Sequence, residues 1–154
     1  MQGPELTSIF DTVEFRDAYR MSYLTNAVIV PTYAEVRREF GIIRSEYHLL
    51  LCLSHFDELN AQDVSRVTRM PRNSISRAVH RMVSEGYIRR APDPDDARQA
   101  RLTITAAGRR LHEQVATLLE ARQEEVLSPL TQREREQLAR LLRKAVAHAA
   151  RLPN

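Results

Sequence analysis

Only four glycines occur in 154 residues, Gly3, Gly41, Gly86 and Gly108, so neither a dinucleotide-binding nor a phosphate-binding glycine loop can be written. The single cysteine, Cys52, cannot close an internal disulfide, which fits a reducing compartment. Apolar runs stop at 27–30 and 49–53, far short of the roughly 20 residues that span a bilayer. Glu5, Asp11, Glu14 and Asp17 sit in the first twenty residues, which therefore do not read as a secretory leader. No spacing of Ser, His and acid residues matches a nucleophile elbow or a metal-protease helix. These absences argue against an enzyme and for a cytoplasmic location. What is present, 43% hydrophobic and 28% charged residues, is ordinary for one globular domain.

The lack of lysine is equally marked: Lys144 stands alone against 22 arginines. Genome composition explains that skew as well as phosphate recognition does. Placement says more. Between Ala61 and Arg101 nine arginines face five carboxylates, so a segment carrying +4 lies within a chain of net charge +3. A basic middle between near-neutral flanks is the footprint of a polyanion-binding module, although a solvated charged face gives the same count.

Periodicity reads as helical with one interruption. A long helix runs from Val13 to about Glu39, with a kink or restart expected at Pro31, and Gly41 ends it. A leucine-rich helix follows from Ser45 to about Asp57. Asn60 caps a short helix to Thr68, and Pro71 opens another that runs to Glu85 before Gly86. Residues 87–91 and 100–104 are strand-like around the turn signal Pro92-Asp-Pro-Asp-Asp96. Thr105 caps a helix with the stripe Ala107, Leu111, Val115, Leu118 and Leu119. Beyond Pro129, Thr131 and Glu134 form a capping box before the stripe Leu138, Leu141, Leu142, Ala145 and Ala149. Short helix, turn, helix and a two-stranded wing make a winged helix-turn-helix. The fold class expected is mostly α with a small β-hairpin wing (α+β), flanked by N- and C-terminal dimerisation helices whose stripes one chain would leave uncovered.

The helix from Pro71 to Glu85 turns Ile75, Ala78, Val79, Met82 and Val83 to one side. Asn73, Ser76, Arg77, His80, Arg81 and Ser84 take the other, with Arg72 and Ser74 in the first turn. Arginine, asparagine and serine are side chains that can read base edges in a major groove; a solvated surface helix is the plainer reading. At the hairpin tip Arg98 follows three acids. A wing arginine suits a narrow minor groove, and Asp96 two residues before it could orient the guanidinium. A loop with incidental charges is the alternative.

These residues carry a family resemblance. The stretch 45–108 resembles the MarR family of bacterial transcriptional regulators, and the flanking helices resemble that family's dimerisation domain. The most specific part is the wing, Asp93-Pro-x-Asp96-x-Arg98, followed by Leu102 and Ile104-Thr105-x-x-Gly108. Pro71-x-x-Ser74-x-Ser76-Arg77 and Met82-x-x-x-Gly86-Tyr87-Ile88-x-Arg90 match the recognition helix and its exit. Met70, where a capping side chain is common, Tyr87 and Ala97 depart from the pattern.

The resemblance implies a homodimer with domains at 1–44, 45–104 and 105–154, the middle one binding double-stranded DNA at a pseudo-palindromic operator, as a repressor in the bacterial cytoplasm. It implies Arg72, Asn73, Ser74, Ser76, Arg77 and His80 at the major groove, and Arg98 supported by Asp96 at the minor groove. Arg66, Arg69, Arg90 and Arg101 are the expected phosphate contacts. It further implies a small, aromatic or anionic effector between the helical and DNA-binding parts, for which Arg20, Tyr23 and His48 are the candidates; packing of a dimer-interface helix explains the first two equally. Arg122 could pair across the dimer. His48, Cys52 and His55 share one helical arc, so a thiol- or metal-responsive regulator is an alternative, but three ligands on one helix rarely reach one ion, and no cofactor or metal is expected. A helical interaction dimer without DNA readout is the other.

Overall fold

A computed structural model describes residues 6–96 and 98–153, so Gly3, Glu5 and Ala97 lie outside it. The described chain runs α1 (Ile9–Thr12), α2 (Arg16–Phe40), α3 (Arg44–His55), α4 (Ala61–Thr68), α5 (Arg72–Ser84), β1 (Ile88–Pro92), β2 (Ala100–Ile104), α6 (Ala106–Leu127) and α7 (Gln132–Ala149). It is a mostly helical molecule with one antiparallel hairpin in the register Ile88 to Ile104 and Pro92 to Ala100. No helix among the described residues is long and apolar enough to cross a membrane.

Local chemistry sets the boundaries. Asn60 Oδ1 accepts the Asp63 N–H at 2.8 Å, and Thr105 Oγ1 accepts that of Gly108 at 3.0 Å. Thr131 and Glu134 form the expected capping box. Gly41 closes α2 at φ 68°, a left-handed position that glycine takes without steric cost. Helix α5 starts after Pro71 with no side-chain cap, in keeping with Met70 standing in place of a capping residue.

Pro31 does not restart the first long helix, contrary to expectation: α2 is continuous for 25 residues. The lost hydrogen bond is local, Thr32 donates its hydroxyl to the Val28 carbonyl at 2.6 Å, and α2 is held along α6. A further bridge residue stands at 59, outside any strand-like run of the sequence. Leu59 exchanges two backbone hydrogen bonds with Leu102, at 3.2 and 2.8 Å, and pins the wing to the loop before α4.

The core crosses both expected domain boundaries. Val36 and Ile42 from the end of α2, and Leu111 and Val115 from α6, pack in one cluster with Tyr47, Leu49, Leu50 and Leu53 of α3, Ile75 and Met82 of α5, and Ile88 and Leu102 of the wing. Gly108 sits where α6 meets the end of α5, so close that a Cβ there would lie 2.1 Å from the Tyr87 carbonyl oxygen. Among the described residues nothing packs extensively along α7, which leaves Leu141, Leu142 and Val146 exposed, as are Tyr19, Tyr23 and Leu24 of α2.

Candidate nucleic-acid interface

Helix α5 has the two faces its sequence describes. Ile75, Ala78, Val79 and Met82 are buried, whereas Arg72, Asn73, Ser76, Arg77 and His80 are exposed and Ser74 is half-buried. The burial of the apolar side against α3 and α4 fixes the rotation of the helix, so the polar side must face outward. The guanidinium groups of Arg72 and Arg77 have no hydrogen-bond or ion-pair partner among the described residues. Unclaimed donors on a fixed face are what a base edge or phosphate requires.

The wing completes the surface. Asp96 does support Arg98, but through the backbone: its Oδ1 accepts the Arg98 N–H at 3.0 Å, and its Oδ2 accepts from the Gln99 amide at 3.0 Å. The expected contact with the guanidinium is not formed, because the short Asx-type turn consumes both carboxylate oxygens. Asp93 Oδ1 accepts the Asp95 N–H at 2.9 Å, and that bond, with the nearby Arg101 guanidinium, holds the Asp93 carboxyl below the usual carboxylate range.

Between α5 and the wing lies an open cleft of about 700 Å³. Ser76, Arg77 and His80 line one wall, Arg90, Arg98 and Gln99 the other, and Asn60 and Gln62 its end. Six of the residues singled out from sequence, Ser76, Arg77, His80, Arg90, Asp96 and Arg98, thus share one cavity.

The four expected phosphate contacts divide. Arg90 is exposed and unpaired among the described residues, and Arg66 holds only a surface pair with Asp63 at 3.3 Å. Arg101 is taken up by Glu58, Asp93 and Asp95, at 2.7, 3.3 and 3.2 Å, so it neutralises the wing's own acids. Arg69 donates to the carbonyls of Ala149 and Leu152, at 2.7 and 3.0 Å.

A sequence profile described as the MarR family matches residues 40–99, the segment from the end of α2 through the wing tip. That segment of the chain thus resembles the MarR family. The family is one of transcriptional regulators. The chain is 26% identical over 111 residues to the HTH-type transcriptional regulator BilQ of Clostridium symbiosum, covering 72% of this chain and 76% of that protein. Its fold is similar to a MarR transcriptional regulator from Methanosarcina mazei Go1, with a TM-score of 0.78, 22% identity, and coverage of 86% of this chain and 94% of that one. It is also similar to a mutant Escherichia coli MarR complexed with operator DNA, with a TM-score of 0.66, 22% identity, and coverage of 86% and 98%.

Outside the cleft, the fold does not gather the three effector candidates. Arg20 pairs with Asp11 and Asp17, and the Tyr23 ring meets Phe10 edge-on at 5.4 Å. His48 instead lines a separate cavity of about 540 Å³ with Cys52, His55, Thr68 and His112 and the apolar Leu51, Phe56 and Val67. Its Nδ1 lies 3.0 Å from the Met70 sulfur, and burial, then the Arg44 charge, bring its pKa down to about 4. Burial also pushes the Cys52 thiol up, away from the thiolate that a redox sensor needs. Among the described residues no group of three or more His, Cys, Asp or Glu is arranged to hold a metal ion. Arg122 pairs with Glu125 one turn on in its own helix.

Two positions carry more than their sequence suggested. Arg81, on the polar side of the helical wheel, turns back to Glu46 and Gly41. His112 stacks on Tyr47 at 5.6 Å and keeps its Nδ1 buried without a partner among the described residues. Neither pairing leaves a spacing signal, since the partners are 35 and 65 residues apart.

Proposed function

We propose that the protein is a sequence-specific double-stranded DNA-binding transcriptional regulator that acts as a homodimer on a pseudo-palindromic operator. The observation that carries this reading is the cleft in which the outward face of α5 and the wing converge, with the guanidinium groups of Arg77, Arg90 and Arg98 unpaired among the described residues. Arg72, Asn73, Ser74, Ser76, Arg77 and His80 would meet the major groove, Arg98 the adjacent minor groove, and Arg66 and Arg90 the phosphates. The resemblance to an operator-bound E. coli MarR and to the regulator BilQ supports it. The bare stripes of α2 and α7 support a partner copy, which would set two recognition helices about one helical turn of DNA apart.

Acting in the cytoplasm, such a dimer would repress by occupying its operator. A small effector would fit the cavity at His48, whose volume lies in the ordinary ligand range and whose walls are apolar with a few imidazoles. Neutral His48 and His112 offer hydrogen bonds to an aromatic or weakly acidic molecule. Titration of a fluorescent duplex at several salt concentrations tests the central claim. The affinity should fall on a log–log plot with a slope of about −0.9 per neutralised phosphate. A flat salt response would leave only an interaction dimer.

A further inference from the structure

Arg69 stands in the turn of the helix-turn-helix, at φ 54°, and is the only non-glycine residue at positive φ among the described residues. Glycine or asparagine suits that C-terminal position of α4 better than a long β-substituted residue. A side chain kept where the backbone disfavours it points to a task for its head group. That head group lies far along the chain: one guanidinium nitrogen donates to the carbonyls of Ala149 and Leu152, at the last turn of α7 and just past it. These are orphan carbonyls at the negative end of the helix dipole, a favourable partner for a cation.

Among the described residues helix α7 has no other extensive packing. The Arg69 grip is therefore its fixed point on the DNA-binding part. The companion helix α2 is held the same way, since Arg81 donates to the carbonyl of its capping residue Gly41 at 2.7 Å. Both helices with bare apolar stripes thus end under an arginine of the helix-turn-helix. Helix α7 is roughly 27 Å long at 1.5 Å per residue, so releasing one end would let small tilts become displacements of ångströms.

We infer that Arg69 is a positioning residue: it ties the end of α7 to the turn before the recognition helix and so sets the separation of the two recognition helices in a dimer, rather than neutralising a phosphate. The inference rests on the dimeric DNA-binding function proposed above. In the dimer, α7 would be fixed by the partner copy, and Arg69 would convert that fixed position into the spacing of the recognition helices.

Selection of duplexes from a randomised pool tests it, because sequencing reads out the distribution of half-site separations. Wild-type protein should select paired half-sites at one sharp separation; a pool without paired half-sites would overturn the DNA-reading dimer itself, and the inference with it. Arg69→Gly relieves the backbone and removes the guanidinium. It should broaden the distribution to neighbouring separations while leaving the dimer mass and the salt slope on a random-sequence duplex unchanged. Deleting residues 149–154 removes the acceptors and leaves Arg69 in place, and it should broaden the distribution in the same way. A sharp, unchanged separation in both variants overturns the inference. So does a salt slope shallower by about 0.9 per subunit in Arg69→Gly, which is the signature of a lost phosphate contact.

Discussion

Arg81 grips the Glu46 carboxylate with one guanidinium nitrogen, at 2.9 and 3.1 Å from its two oxygens, and the two members of the pair differ sharply in exposure. The glutamate side chain is 5% exposed and the arginine 46%. Glu46 also accepts the Ile43 N–H at 2.8 Å, so one buried carboxylate joins the start of α3 to α5 and, through Arg81, to the Gly41 junction.

That asymmetry makes the two halves of the pair unequal in their effect on stability. Arg81→Leu strands a buried negative charge and should cost about 2–4 kcal/mol, whereas Glu46→Gln leaves an arginine that reaches water and should cost about 1 kcal/mol. Urea midpoints at one fixed protein concentration measure both. Equal losses would mean that the carboxylate is better hydrated than its burial indicates.

A methyl group at position 108 has nowhere to go. Gly108→Ala places a Cβ 2.1 Å from the Tyr87 carbonyl oxygen, with the Ile104 side chain next at 2.9 Å. The backbone must open where α6 leaves the wing, with an expected loss of about 1–3 kcal/mol from overpacking. Thermal unfolding of the purified variant checks it.

Two arginines of the same cleft should behave differently toward DNA. Arg77→Ala should cost about 1–3 kcal/mol on the preferred sequence and relax the base preference there, as loss of a base contact does. Arg90→Ala should weaken all sequences alike and reduce the salt slope by about 1, as loss of a phosphate contact does. Binding titrations on preferred and scrambled duplexes separate the two.

His48 gives stability a pH dependence of known sign. Its folded pKa, about 4, lies below the ordinary value of 6.5, so between those limits the unfolded chain binds more protons. Stability should therefore fall as pH drops from about 6.5 toward 4. The group is partly open to solvent, so its share is held to roughly 1–2 kcal/mol. Denaturant unfolding at pH 7 and 5, compared with His48→Gln, isolates this share. A wild-type loss no larger than that of the variant would place the titration elsewhere.

Much of this architecture was legible from local pattern. Asn60, Thr105 and Thr131 announce their helices because a cap is an interaction over three residues. The two faces of α5 follow from a 3.6-residue period with nothing else needed. Features that depend on distant partners were not legible. Pro31 reads as a kink or restart, and only the neighbouring helix against which α2 packs shows why the helix runs on past it. Arg69 reads as a phosphate contact because nothing in its neighbourhood reveals that Ala149, 80 residues away, accepts from it. Asp96 reads as a partner for the Arg98 guanidinium because a turn's internal hydrogen bonds appear only with its backbone.

The shared core sets a practical limit on dissection. A fragment cut at 45–104 would keep the helix-turn-helix and hairpin yet lose Val36, Ile42, Leu111 and Val115 from around Tyr47 and the α3 leucines. Four large apolar side chains would leave and their neighbours would meet water, at roughly 1.5–3 kcal/mol for each. Such a loss rivals the whole stability of an ordinary small domain. A transplantable DNA-reading module from this chain must therefore carry the last turns of α2 and the first half of α6 with it.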